Sequence, residues 1–294
     1  MKKQALLLFI FWSGLVAAQQ NYIREQDNRN GIAFATVLFY LDHKLVNGTY
    51  CDAGGQYTHP EHFDTIVISC VGYKTLTVEG STAPDEIVLE KQFYDLEQVT
   101  ISSKRYEAGY IHKDRMQYVG LSNGSEIGSY IKNTTAKKGR ISSVKFKVGK
   151  MEKDTEYRIH FYAYEENEFV PMAERSKKNT IHILKKGTKG LVEVTIEDED
   201  IDFPLEGIYV TLECLSGEEI GSYKYYQRKK NAEFSIEAHQ SSAFHFVSTN
   251  KINGVGWVNM NKWIPENYKA TFGTDYEPSI LFVPSIGLEV VETE

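Results

Sequence analysis

Residues 156–163 read Glu-Tyr-Arg-Ile-His-Phe-Tyr-Ala, and apolar and polar side chains alternate along this stretch. Alternation with a period of two separates the side chains onto the two faces of a β-strand. A sheet with one apolar and one polar face is typical of antiparallel proteins, in which the polar face meets water. The stretch therefore predicts an antiparallel strand whose polar face lies in solvent.

The same alternation recurs through the second half of the chain, where no helical period is sustained. It is clearest in residues 140–148, 191–196 and 208–213. Pro204, Gly207 and Gly217 interrupt these runs, as expected of turns between strands. About ten strands without helices indicate a jelly-roll or related β-sandwich, which we place at residues 124–294.

The N-terminal part also consists of short strand candidates broken by turns. Thr65–Val71 is rich in β-branched residues, and the dipeptide Asn47-Gly48 predicts a tight hairpin turn. Strand candidates recur closely enough for about seven strands, as a small β-sandwich requires. Residues 104–123 are more polar and irregular, and we interpret them as a linker between two domains.

Four motifs occur in order in this N-terminal part: residues 31–37, 52–57, 66–73 and 96–101. Together they resemble the carboxypeptidase-regulatory-like domain found at the front of many TonB-dependent outer-membrane receptors. Two positions depart from that pattern, since Cys51 replaces the usual threonine and Gln98 the usual glutamate. The resemblance implies a seven-stranded transthyretin-like sandwich over residues 28–103, in an exported protein of the bacterial cell envelope. No zinc-peptidase module follows it.

The first residues are typical of a secretory signal peptide. Lys2 and Lys3 precede an apolar run from Ala5 to Val16, and small residues follow at positions 17 and 18. The alternative is a membrane anchor, but the run is shorter than the roughly 20 residues that a transmembrane helix needs. We expect residues 1–18 to be removed. The mature all-β chain, without a transmembrane span, would be periplasmic, associated with the outer membrane, or secreted.

Charge excludes one class of partner. The formal net charge is -7, the pI is near 5.7, and lysine and arginine residues are scattered along the sequence. Binding of nucleic acid requires a clustered basic face. We therefore expect no nucleic-acid partner.

Metal and cofactor motifs are weak. His59-Pro60-Glu61-His62 holds two imidazoles, but proline disfavours a helix there and no third ligand is evident, so a solvated loop is favoured over a zinc site. The acidic run 197–200 lacks the glycine and the distal glutamate of an EF-hand. The remaining histidines show no ligand spacing. The sequence predicts neither a metal nor a cofactor.

The three cysteines leave one alternative open. Cys51 and Cys70 lie in the same predicted domain, and export would permit a disulfide between them. They also fit the pattern of small buried apolar residues. Cys214 lies inside an apolar strand candidate, which favours a core position over a nucleophile.

No catalytic motif is present, and aromatic residues in the last third are the remaining candidates for binding. We assign a ligand-binding role to Tyr223, Tyr225, Trp257 and Trp263, because exposed aromatic side chains stack on sugars or anchor proteins. Core packing is the competing interpretation. The sequence thus predicts a non-enzymatic envelope protein that binds or scaffolds a protein or a glycan. The alternative is a secreted hydrolase of glycan or peptide whose site lies in the second domain.

Overall fold

The structure, a computed structural model, describes residues 21–92, 101–111, 117–166, 168–216, 234–241, 246–263, 267 and 281–293. These residues form 21 strands, two short 3-10 helices and a helical turn at residues 260–263. The prediction of an all-β fold is confirmed. The predicted signal peptide lies outside the described residues.

Two sheets draw all their strands from residues 21–89, and we call them the N-terminal sheets. The three-stranded sheet has the order β4 (Gln56–Tyr57), β1 (Asn21–Glu25), β7 (Glu86–Leu89). The four-stranded sheet has the order β3 (Lys44–Tyr50), β2 (Thr36–Leu41), β5 (Thr65–Ser69), β6 (Leu76–Glu79). They share one buried core that includes Ile23, Val37, Phe39 and Leu89.

The described residues give the N-terminal sheets seven strands, and these differ from the predicted set. Strand β1 begins at Asn21, before the expected first residue of the domain at position 28. The expected closing strand at residues 96–101 lies, up to position 100, outside the described residues.

The hairpin turn predicted at Asn47-Gly48 is wrong. The turn lies at Asp42 and His43, which both have positive φ, while Asn47 and Gly48 are inside β3. Gly48 is needed for a different reason. A Cβ atom there would lie 2.1 Å from the carbonyl oxygen of Ile252, so the backbone of β3 could not approach so closely.

The remaining strands form two larger sheets. The six-stranded sheet has the order β13 (His182–Leu184), β12 (Thr155–Ala163), β16 (Ile208–Cys214), β10 (Ser125–Ile131), β18 (Phe246–Asn250), β19 (Val255–Asn259). The eight-stranded sheet has the order β20 (Leu281–Pro284), β17 (Phe234–Ser241), β11 (Gly139–Val148), β21 (Ile286–Thr293), β8 (Ile101–Gly109). Beside that path, β14 (Gly190–Thr195) and β15 (Asp202–Phe203) pair with β11, and β9 (Gln117–Leu121) pairs with β17. The 3-10 helices are Glu197–Glu199 and Lys251–Asn253.

The core of this larger part lies between its two sheets. Phe146 of β11 and Leu288 of β21 pack in one buried cluster with Phe161 of β12 and Val210 of β16. Phe146, Phe161 and Val210 occupy apolar positions of the alternating stretches, as the sequence predicts, whereas Leu288 lies outside the predicted strands. Strand β21 lies between β11 and β8, so the last described strand completes the middle of its sheet.

The described part of the expected linker, residues 104–111 and 117–123, is not irregular, because it includes most of β8 and all of β9. Strand β8 lies at an edge of its sheet, where charged side chains can face water. Arg105 pairs with Glu289, and Glu107 with Lys145, across the sheet. A polar edge strand therefore has the composition of a linker.

The polar face of the six-stranded sheet is buried, contrary to the expectation that it lies in solvent. Every residue of β10 and of β16 is buried, on both faces. Two parts of the chain contribute to this cover. One is the N-terminal sheets, and the other is the connection between β12 and β13, of which we call residues 168–181 the covering segment.

Candidate functional site

Charged side chains from three neighbouring strands meet on this covered face. Arg158 and His160 of β12 lie beside Glu213 of β16, and Glu126 of β10 lies on the other side of Glu213. Register sets the arrangement, because Glu213 is directly opposite Arg158 in one strand pair and opposite Glu126 in the other. Cross-strand neighbours on one face lie close enough to interact.

Glu213 is the centre of this charge cluster. Its Oε2 atom is 2.8 Å from Nη1 of Arg158 and 2.8 Å from Nε2 of His160. The other ring nitrogen of His160, Nδ1, is 3.1 Å from Oε1 of Glu174, which the covering segment supplies. His160 thus bridges two carboxylates, a role that requires a proton on each ring nitrogen.

Glu126 forms the second half of the cluster. Its Oε1 atom accepts hydrogen bonds from the hydroxyl groups of Tyr162, at 2.8 Å, and Thr211. Its Oε2 atom lies 3.3 Å from Nζ of Lys251, in an ion pair without an aligned hydrogen bond. The Lys251 ammonium also donates to the Tyr162 hydroxyl and lies over the rings of Tyr162 and Trp257.

The N-terminal sheets reach into the cluster at two points. The hydroxyl of Tyr50, on β3, donates to Oε1 of Glu213 at 2.6 Å. Nη2 of Arg158 donates to the carbonyl oxygen of Phe34 at 3.0 Å. The covering segment is joined to the same region, since the Asn179 amide donates to the carbonyl of Ala33. The cluster therefore connects the N-terminal sheets to the larger part of the chain.

The cluster is deeply buried and balanced in charge. Glu126, Glu213, His160 and Arg158 are 1%, 2%, 2% and 3% exposed. Three carboxylates, of Glu126, Glu174 and Glu213, face three cationic groups, of Arg158, His160 and Lys251. Buried charges persist only when they are paired, because transfer from water is costly.

The protonation states follow from this pairing. Burial by itself would lower the pKa of His160, but the carboxylates of Glu126, Glu174 and Glu213 raise it to about 10. Burial would raise the pKa of Glu213, but Arg158, His160 and Lys251 hold it far below its usual value. The pKa of Glu174 is lowered in the same way by His160 and Lys251. At neutral pH the carboxyl groups of Glu174 and Glu213 are therefore ionised, and His160 is protonated.

Within the described residues, one group of side chains has the composition of a metal site. Ligand atoms of Glu126, His160 and Glu213 all lie within 4.8 Å of one another, and all three residues are buried. The sequence gives no sign of this group, because its members are separated by more than thirty positions along the chain. Only strand register brings them together.

Of the four aromatic residues assigned to ligand binding, one lies beside the cluster. Trp257, on the edge strand β19, makes an edge-to-face contact with Tyr162 at 5.4 Å and is partly exposed. Trp263 packs against the core of the larger part instead. Tyr223 and Tyr225 lie outside the described residues. That Tyr223 and Tyr225 form one binding surface with Trp257 therefore stays a prediction.

The weaker sequence motifs take ordinary structural positions. His59 and His62 lie in an exposed loop, where His59 contacts Phe63. The acidic run forms the 3-10 helix Glu197–Glu199, and Asp200 beside it pairs with Arg140 and Lys177. Cys51, Cys70 and Cys214 are buried and form no disulfide with one another.

One cavity lies elsewhere on the molecule. It has a volume of about 260 Å³ and lies at the β8 edge, where Tyr110, Lys132 and Lys145 are among its lining residues. It shares no residue with the charge cluster. This cavity and the group of buried titratable side chains therefore lie at different places in the fold.

Comparison with known proteins identifies no family. No protein-family model matches the sequence, and no curated protein matches it. Among solved structures, this chain is similar to the cysteine protease and lectin-like domains of Cwp84, a surface layer associated protein of Clostridium difficile. The identity is 10%, the TM-score is 0.33, and the match covers 88% of this chain and 58% of that chain, less than two thirds of its length. A likeness this slight carries no argument about fold or function.

One further observation concerns membranes. No helix among the described residues is long and apolar enough to cross a bilayer.

Proposed function

We propose that this chain is an exported, non-enzymatic protein of the bacterial envelope that binds or scaffolds a partner protein or a glycan. The segment typical of a signal peptide supports export to the periplasm, the outer membrane or the exterior. The resemblance of the N-terminal motifs to carboxypeptidase-regulatory-like domains supports an accessory role.

The arrangement of the N-terminal sheets supports that assignment. Seven strands in two sheets around one core are what a transthyretin-like sandwich requires. All described strands of the other two sheets come from residues 101–293, so we place the boundary between two domains after β7 and before β8, instead of a linker at 104–123. The larger pair of sheets then forms the second, jelly-roll-like sandwich.

The observation that supports the proposal is that the charged groups of the cluster are paired with one another. Its carboxylates, its imidazole and its guanidinium bind one another, and the N-terminal sheets supply two of the hydrogen-bonding groups. A protonated His160 cannot act as a general base at neutral pH. The cluster therefore serves to join the two parts of the chain rigidly, as a scaffold needs.

Trp257 is the candidate partner contact. It is partly exposed on β19, an edge strand whose Val255 and Gly256 are exposed beside it. Lys251 lies over its ring and fixes a cation next to the aromatic surface. An aromatic side chain with a fixed charged neighbour is a common anchor in protein and sugar recognition.

The hydrolase alternative has one observation in its favour. The side chains of Glu174 and Lys251 are 29% and 37% exposed, so the rim of the cluster reaches solvent. A hydrolase would have to open this rim to admit substrate and water to the His160–Glu213 pair.

The test is capture of partners from crosslinked native envelope with the tagged, processed chain, followed by mass spectrometry and a glycan array. Trp257→Ala should weaken the captured interaction by about 30-fold or more, as truncation of an aromatic hot spot does. The matched control is Leu191→Ala, because Leu191 is 55% exposed on β14 of the other sheet. Silence in both assays would overturn the proposal and favour the hydrolase.

A further inference from the structure

The geometry of the charge cluster points to a metal site. We propose that Glu126, His160 and Glu213 bind one first-row transition-metal dication, for which Zn²⁺ is the natural probe. Nε2 of His160 lies 2.8 Å from Oε2 of Glu213, at hydrogen-bond distance, and the separation of about 3.3 Å between two ligands of a tetrahedral zinc ion requires a shift of only about half an ångström. Glu126 brings a third ligand atom within 4.8 Å of both. One imidazole and two carboxylates are a ligand set that zinc accepts.

The groups around these three residues are those that metal ligands require. Glu174 holds Nδ1 of His160 at 3.1 Å, so Nε2 is the nitrogen directed at the carboxylates. Tyr162 and Thr211 donate to the remote oxygen of Glu126, and Tyr50 donates to the remote oxygen of Glu213. Ligands of protein metal sites are oriented by such outer contacts, most characteristically by a carboxylate on histidine.

One ligand atom is poorly satisfied without a metal. Oε2 of Glu126 accepts no hydrogen bond, although the residue is only 1% exposed. Its neighbour is the ammonium of Lys251, 3.3 Å away, on a side chain that reaches the surface. We interpret this ammonium as the cation that substitutes for the metal, and its path to solvent as the route by which an ion enters.

Charge is conserved when the ion replaces these groups. Metal binding requires a neutral imidazole, so one proton leaves His160 for water. Lys251 stays protonated and its ammonium moves to solvent. The dication then supplies the two positive charges that the Lys251 ammonium and the His160 proton supplied, and Arg158 continues to balance the third carboxylate. The buried site therefore remains neutral in both states.

The experiment uses the full processed chain without a histidine tag, stripped with a chelator and titrated with Co²⁺ and Zn²⁺. We expect one ion per chain, visible d–d bands of a four- or five-coordinate Co²⁺, and X-ray absorption of the zinc form showing one imidazole with oxygen ligands. A folded chain that binds neither ion at micromolar concentration would overturn the proposal, as would a zinc spectrum with two or more imidazoles.

Variants locate the ion. His160→Gln should abolish binding, and Glu174→Ala should weaken it by about 10–100-fold, because it removes only the orienting carboxylate. The matched control is the double variant His59→Gln, His62→Gln, which removes two exposed imidazoles and should bind normally. If that control loses the ion, the proposal fails. Should His160→Gln not fold, the absorption spectrum of the unaltered chain decides. The metal titration and the partner capture are separate measurements, so the failure of one proposal can be distinguished from the failure of the other.

Discussion

The Tyr50 hydroxyl lies 2.6 Å from Oε1 of Glu213, and this hydrogen bond joins strand β3 of the N-terminal sheets to the centre of the charge cluster. Donor and acceptor are separated by 163 positions in the sequence. Because Glu213 is buried and charged, the hydrogen bond from Tyr50 contributes to holding the two parts together.

Tyr50→Phe should lower the free energy of unfolding by about 1–3 kcal/mol, the usual cost of leaving a buried acceptor short of a donor. Urea denaturation at neutral pH measures it. Tyr40→Phe is the control, because Tyr40 is a partly exposed residue of β2 outside the cluster. Equal stability of the two variants would show that the Tyr50 bond contributes nothing.

Gly48→Ala should destabilise the chain by about 1–3 kcal/mol, as overpacking does, because the new methyl group would meet the backbone of the Lys251–Asn253 helix. Gly256→Ala is a matched control, since a Cβ on that strand residue has no atom within 4 Å. Thermal unfolding of both variants checks the pair. If Gly48→Ala unfolds at the wild-type temperature, the two parts do not approach as closely as described.

The metal-free chain should be most stable between about pH 4.5 and 6.5 as far as the cluster determines it. The pKa values of Glu174 and Glu213 are lowered on folding, so their contribution is present above the usual value of 4.5 and is lost as pH falls through the folded values. The pKa of His160 is raised from 6.5 to about 10, so its contribution is complete below pH 6.5 and is lost as pH rises through about 10.

Free energies of unfolding measured from pH 3 to pH 10 in the presence of a chelator test this profile. Glu174→Gln should reduce the loss of stability both below and above this pH range. It removes one carboxylate whose pKa is lowered on folding, and it removes one of the groups that raise the pKa of His160. A profile that rises steadily from pH 6.5 to 10 would contradict the assignment of a charged His160.

The thiols should resist alkylation in the folded chain. Burial raises the pKa of Cys51 to about 12 and that of Cys70 to about 11, so only a minute fraction of thiolate exists at pH 8. A thiol reagent at pH 8 should modify neither residue until urea unfolds the chain, and should then count three thiols. A count of one would instead reveal a disulfide between Cys51 and Cys70.

The apolar side of the fold is readable in the sequence, and the polar side is not. Alternation correctly predicts that Phe161 faces the core and that Arg158 and His160 face away from it. Alternation depends on the polarity of the side chains and not on their exposure. It therefore cannot show that the polar face is covered by the N-terminal sheets and the covering segment. The charge cluster depends on that cover and on the register of β10, β12 and β16, which no local pattern encodes.

Local turn chemistry misled the prediction at Gly48. Asn-Gly is the strongest short hairpin signal, yet this glycine serves the contact with Ile252, while Asp42 and His43 adopt the positive φ angles of the turn. A glycine can be required for close contact between two backbone segments as well as for a turn. A single sequence does not show which of these two requirements applies.

The position of β21 has a consequence for when the protein can fold. Strands β11 and β8 are neighbours only through β21, so the middle of their sheet stays open until residues 286–293 have been synthesised. Pairing between such distant segments makes folding slow. The eight-stranded sheet therefore closes only after the last described strand has been made, whereas all strands of the N-terminal sheets have been made by residue 89.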